Sequence, residues 1–273
     1  MRVPKSLVSS LRIWYHSPMD DTKFQAAAAR AQLRKPEGGG IGMLCEKALH
    51  SALKYYYEPD ETCHEREAWG FFADVLNEDG IIEIQTRSLW SLKKKLPVYL
   101  ERTRVTLVHP VVRRRSLIYL DPETGELSAP RLSPVRGSIY TAFPELIHIK
   151  EFLAHPNLLV VVPIVDAEEY RIRLEQKKRR RVPAVKKFEL VPTALIEEWV
   201  FACPEDWLRL VPEPLQMTGF TVRALAEASK NTVGAAGLVA STLLAAGALS
   251  RERAGRAYRY FVPNEETGKE RIE

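Results

Sequence analysis

EAWGFFADVLNEDGIIEIQT, residues 67–86, holds two apolar runs, Glu67–Leu76 and Ile81–Thr86, split by Asn77-Glu78-Asp79-Gly80. Asp-Gly between alternating apolar runs is a hairpin signal. If Leu76 pairs with Ile81, the antiparallel register sets Asp74 directly opposite Glu83. Strand side chains alternate between faces, so Ile81, Glu83 and Gln85 share one side. Two carboxylates opposed across such a pair stand about 5 Å apart at Cβ and repel. A divalent cation between them would relieve that repulsion, and hard oxygen ligands suit Mg²⁺.

Outward from the hairpin, Ile41, Leu44, Cys45, Ala48, Leu49, Ala52, Leu53 and Tyr56 recur at helical spacing and predict an amphipathic helix ending before Glu58-Pro59-Asp60. Glu46 lies at the edge of its apolar stripe, positioned to reach Asp74. His50 falls further out on the same flank, and Lys47 and Lys54 point to water. After the hairpin the pattern predicts a helix over 88–101, a strand over 105–112, a second hairpin around Asp121-Pro122-Glu123-Thr124-Gly125 and a helix over 139–154. The continuous run Leu158–Val165 then predicts a buried strand.

A helical acid, an acid on the next strand, and E-x-K/Q nine residues on resemble the PD-(D/E)XK phosphodiesterases. The matching residues are Glu46 in MLCEKALH, Asp74 in FFADVL and Glu83-Ile84-Gln85 in IIEIQT. The order helix, strand hairpin, strand, helix, strand is similar to that family's core. The resemblance implies an α/β fold: a mixed-sheet, restriction-endonuclease-like core with flanking helices. It implies that Asp74 and Glu83, assisted by Glu46, ligate Mg²⁺ or Mn²⁺, and that Gln85 stands where the family usually has a lysine. Gln85 can hydrogen-bond a water but brings no charge; Lys47 or one of Lys93–Lys95 is the expected replacement.

Past this core lies a basic block that includes Lys177, Lys178, Arg179, Arg180 and Arg181, expected to be a loop that meets phosphates. From Thr218 the text changes. TVRALAEA and TVGAAGLVASTLLAAGAL read as two helices around an SKNT turn, and SRERAGRAYRYF as a β-wing. This order resembles winged helix-turn-helix domains. The resemblance implies nucleic-acid contacts from Asn231 and Thr232 at the second helix and from Arg251, Arg253 and Arg256 on the wing. The second helix is Ala-rich and poor in base-reading groups, so dimerisation or packing on the core stands as the alternative.

The domain expectations are a flexible extension over 1–40, a nuclease-like domain over 41–170 and a basic linker over 171–190. A helical connector over 191–214, a mainly helical winged-helix domain over 215–263 and a tail over 264–273 complete them. The 273 residues carry a net charge of +5, which agrees with an anionic partner such as DNA. No apolar run approaches the roughly 20 residues of a membrane helix. Three cysteines without CxxC spacing fit neither a disulfide framework nor a zinc knuckle, so a reducing cytoplasmic setting is expected.

Overall fold

The computed structural model describes residues 20–33, 47–173, 185–255 and 257–263. Its centre is an eight-stranded mixed sheet with helices on both faces. In chain order, α1 (Asp21–Leu33) and α2 (Lys47–Tyr57) precede β1 (His64–Ala68), β2 (Phe71–Asn77) and β3 (Gly80–Ile84). These three strands form an antiparallel meander. A 3-10 segment, Leu89–Lys94, and the short α3 (Leu96–Leu100) then cross to β4 (Val105–Val108), which runs parallel to β3. β5 (Val111–Leu120) follows β4 along one side of β7 (Leu158–Arg173), while β8 (Val185–Phe201) takes the other side in antiparallel sense. β6 (Arg131–Leu132) caps the edge of β5.

The central hairpin has the expected register: Leu76 pairs with Ile81, around a Glu78-Asp79 loop that the Asn77 side chain closes by accepting the Asp79 N–H at 3.1 Å. The run Glu67–Leu76, read as one strand, is two. Trp69 and Gly70 both take positive φ, the geometry of a tight two-residue hairpin loop, and divide it into β1 and β2. β7 meets its expectation: Leu158–Val165 is buried on both faces. On one face Ile84, Val108, Leu159 and Val161 pack under Leu49, Leu53 and Phe24 of α1 and α2. On the other, Ile81, Leu107 and Val160 meet Leu89, Leu96 and Phe143.

Three expectations are corrected. The stretch 1–40 is not wholly an extension: α1 buries Phe24, Ala27 and Ala28, one helical face at i, i+3, i+4, and Asp21 accepts the N–H of Leu195 at 2.9 Å. The linker expected over 171–190 is strand wherever it is described, since Arg171–Arg173 and Val185–Leu190 are the paired far ends of β7 and β8. The connector expected to be helical from Ala194 is strand to Phe201, because the open edge of β7 offers a full row of backbone partners.

Beyond β8 come α4 (Pro204–Trp207), α5 (Glu213–Thr218), α6 (Val222–Ala228) and α7 (Val233–Ala245), then the β9 (Ser250–Ala254) and β10 (Ala257–Phe261) hairpin. The expected helix over 139–154 breaks into short α and 3-10 pieces. α7 packs on those pieces, so Val239 and Leu243 join the same core as Phe143 and Leu146. Thr221 caps α6 by accepting the Ala224 N–H at 3.2 Å. Thr221→Ala should lower unfolding free energy by about 1 kcal/mol, read from the urea midpoint at unchanged slope.

Candidate functional site

Past Val75–Ile82 the β2–β3 ladder ends, and the next two residues in register are Asp74 and Glu83. Instead of continuing the ladder, Asp74 Oδ2 accepts the backbone N–H of Ile84 at 2.7 Å. Opposite it on β1, Glu65 takes φ +49°, a local break in the strand. Asp74 keeps 18 % of its side chain exposed. Glu83 keeps 2 %.

Glu83 Oε2 lies 2.5 Å from Lys95 Nζ, while Oε1 is buried with no hydrogen-bond partner. Lys95 comes from the end of the 3-10 segment and also donates to the Phe72 carbonyl at 3.4 Å. His50 Nε2 approaches Asp74 Oδ2 to 3.3 Å from one flank. Below the acids sits the Tyr99 hydroxyl, also buried without a partner.

Burial and the nearby Asp74 charge outweigh Lys95 and push the Glu83 pKa up to about 7. Burial also works to raise Asp74, but the His50 contact, the Ile84 N–H and the Lys95 charge together hold it below the ordinary carboxylate range. The Tyr99 hydroxyl is pushed up by burial and then by the Glu83 and Asp74 charges. Two neighbouring carboxyls are thus driven apart, one kept ionised and one poised near neutrality, which is how acid and base roles are divided within one site.

Of the residues expected to form this site, Asp74 and Glu83 come together, whereas Glu46 lies outside the described residues. Gln85 does not reach the acids: its Nε2 donates to Ser91 Oγ at 2.8 Å, and its Oε1 accepts the Arg87 N–H at 3.3 Å. Lys95, one of the four lysines named as replacements, occupies the acidic site. Lys54 does not point to water; it is buried and paired with Glu65. His50 and Tyr99 were not among the expected site residues. Spacing placed His50 on the flank of Glu46, a signal for its nearness to Asp74, but nothing in the sequence marked Tyr99. Among the described residues no group of three or more His, Cys, Asp or Glu side chains is arranged to hold a metal.

The expected nucleic-acid contacts divide similarly. Lys177, Lys178, Arg179, Arg180, Arg181 and Arg256 lie outside the described residues. Asn231 and Thr232 spend their side chains locally, Asn231 on the Ser229 carbonyl and Thr232 as the α7 cap. Arg251 lies over the Tyr258 ring at 4.3 Å, and Arg253 donates to the Gly255 carbonyl at 3.4 Å; both remain exposed. No helix among the described residues is long and apolar enough to cross a membrane.

An uncharacterized protein of Treponema pallidum (strain Nichols) is 33% identical over 153 residues, 56% of this chain and 59% of that protein. The chain therefore spans about three fifths of that relative's length. No solved structure matches. A domain of unknown function, DUF8091, matches residues 47–202, from the start of α2 to the end of β8, and the chain belongs to that family.

Proposed function

We propose that this chain is a metal-dependent phosphodiesterase of the PD-(D/E)XK type acting on nucleic acid, DNA in the first instance. In this reading the C-terminal helices and hairpin serve as a winged helix-turn-helix, and the protein works in the cytoplasm. The observation that carries it is the pairing in register of half-buried Asp74 with buried Glu83, one of whose oxygens is left unpartnered. Support also comes from the element order α2, β1–β2–β3, helical crossover, β4, with the acids on adjacent strands.

The donor chemistry suits a hard cation: two carboxyl groups opposed in register, with Glu83 Oε1 lacking a partner. Asp74 and Glu83 would hold Mg²⁺ or Mn²⁺, and Glu46 stays the expected third ligand. Such an ion supplies Lewis acidity toward a phosphoryl oxygen and lowers the pKa of bound water. The chain's own groups do the rest. His50 and the Ile84 N–H hold Asp74 ionised and fixed in orientation. Lys95 brings the positive charge that Gln85 lacks, placed to offset charge developing on the phosphate. Gln85, tied to Ser91 and Arg87, braces the end of β3.

A nicking assay on supercoiled plasmid with Mg²⁺, Mn²⁺ or EDTA tests the proposal. Cleavage should require the metal, fall to background in Asp74→Asn, and drop about 10–100-fold in Lys95→Met with partial rescue by Lys95→Arg. Metal-dependent cleavage that survives Asp74→Asn would sink the assignment.

The Lys95–Glu83 pair also favours a second reading, because a carboxylate already neutralised by lysine does not need a cation. On that reading the chain binds nucleic acid through a degenerate nuclease fold, or serves as a protein-interaction scaffold. It predicts no cleavage with any metal, and Lys95→Met as a purely structural lesion.

A further inference from the structure

A second feature stands at the C-terminal ends of β3 and β4, on the far side of Gln85. β3 stops at Ile84, and β4 gives way at His109-Pro110 to β5, which continues along β7. Proline cannot donate to a ladder, and Pro110 stands at the join between β4 and β5. Residues 86–88 on one side and 135–137 on the other wall a cleft of about 490 Å³. In open α/β sheets ligands bind at the carboxyl ends of parallel strands, which is where this cleft lies.

Its lining is cationic. Arg87, Arg115 and Arg136 converge on it, against Glu145 as the one acid among the described lining residues. Glu145 Oε2 is already engaged, accepting the Leu89 N–H at 3.0 Å. Arg115 is anchored through one terminal nitrogen to buried Glu169 at 3.1 Å, yet its Nε is buried and has no acceptor. Arg136 has no hydrogen-bond or ion-pair partner among the described residues. The wall beneath is rigid: a Cβ on Gly137 would collide with the Val112 carbonyl oxygen, and the Gly137 N–H bonds the Arg113 carbonyl at 3.1 Å. His109 closes the floor with Nδ1 2.7 Å from the Gln85 carbonyl. A carbonyl only accepts, so Nδ1 carries the proton, and the largely buried, neutral ring leaves Nε2 as an acceptor. A planar donor set with an orphan guanidinium nitrogen and an unpaired arginine at the mouth suits a phosphate oxyanion.

We propose that this cleft is a subsite for a phosphate group of the nucleic-acid strand cut at Asp74–Glu83. The inference rests on the phosphodiesterase reading and extends it to how the strand is held. Arg87 is four residues past Glu83, within about 14 Å along the chain, or about four nucleotide steps of B-form rise. A strand can therefore occupy both places at once.

The test is calorimetric titration of the full chain in EDTA, where cleavage plays no part. The probes are a hexathymidylate with a 5′-phosphate, the same strand with a 5′-hydroxyl, and thymidine 5′-monophosphate. Arg136→Gln and Arg87→Gln should each weaken hexamer binding about 10-fold, and Arg136→Gln should flatten the log-affinity slope against log salt by about 1. Equal losses with both hexamers identify an internal phosphate; a loss confined to the 5′-phosphorylated hexamer identifies a strand end. Either outcome supports the subsite. Unchanged hexamer affinity in both variants overturns it, and so does arginine-dependent binding of the monophosphate alone. The two readings fail separately. A chain that never cleaves but loses strand affinity in Arg136→Gln keeps the subsite and loses the chemistry. One that cleaves, with KM unmoved by both variants, keeps the chemistry and loses the subsite.

Discussion

Glu83→Gln is expected to make the protein more stable above neutral pH, by about 3 kcal/mol at pH 8, and, on the proposed phosphodiesterase reading, to abolish metal-dependent cleavage. The two effects have one cause. The folded chain raises the Glu83 pKa from an ordinary 4.5 to about 7, so the native state binds this proton more tightly than the unfolded state. Its contribution is complete below the unfolded pKa and is lost as pH climbs through the folded value. By pH 8 the carboxylate is ionised and buried at a net cost, even beside Lys95. Glutamine keeps the shape without the charge. Denaturant unfolding of wild type and variant at pH 5 and pH 8 isolates the effect. Glu198, also raised by burial, drifts in the same direction in both proteins and cancels from the difference. The Asp74 contribution disappears only at lower pH, as its depressed pKa requires. A difference of the same size at both pH values would mean that Glu83 does not carry the raised pKa.

The fold and the site were legible in the sequence to different degrees, and the physics of each element explains why. The β2–β3 register could be read because Asn77-Glu78-Asp79-Gly80 is turn chemistry and the flanking runs alternate. The Trp69-Gly70 loop could not, since a tryptophan with positive φ is no turn signal. The Ala194–Phe201 part of β8 looked helical because Ala194, Leu195, Glu197 and Glu198 are good helix formers; its conformation is decided by the long edge of β7, a non-local partner. α1 was hidden by its composition, for an Ala-rich stretch becomes an ordered helix only through docking Phe24. Asp74 and Glu83 followed from pairing arithmetic alone. Choosing Lys95 from Lys93–Lys95 did not, because the segment is 3-10 up to Lys94, and its 120° step presents a different face from the α-helix assumed. His50 stands four positions on from Glu46, the residue proposed to meet Asp74, and itself comes within 3.3 Å of that acid.

The other large effect is expected at the base of the same hairpin, where Gly80→Ala should cost about 3 kcal/mol or more. Gly80 adopts φ +126°, a conformation L residues rarely take, and a Cβ there would run into the Arg104 carbonyl oxygen. That oxygen is already the acceptor for the Ile81 N–H at 2.9 Å, the bond that starts the parallel pairing of β3 on β4. Neither partner can yield without shifting β3, and three residues on from Gly80 is Glu83. Gly70 provides the control. It also has positive φ, +84°, in the β1–β2 loop, but an added Cβ meets nothing within 4 Å. Gly70→Ala should therefore show only backbone strain, about 1 kcal/mol, with cleavage intact. Urea unfolding separates the two substitutions by size. Activity assayed well below the melting transition separates them by kind: Gly80→Ala should lose cleavage even where it is fully folded, because Glu83 is displaced from Asp74 and Lys95. Equal destabilisation by both, with activity retained in both, would show that the Ile81–Arg104 junction does not set the position of the acidic pair.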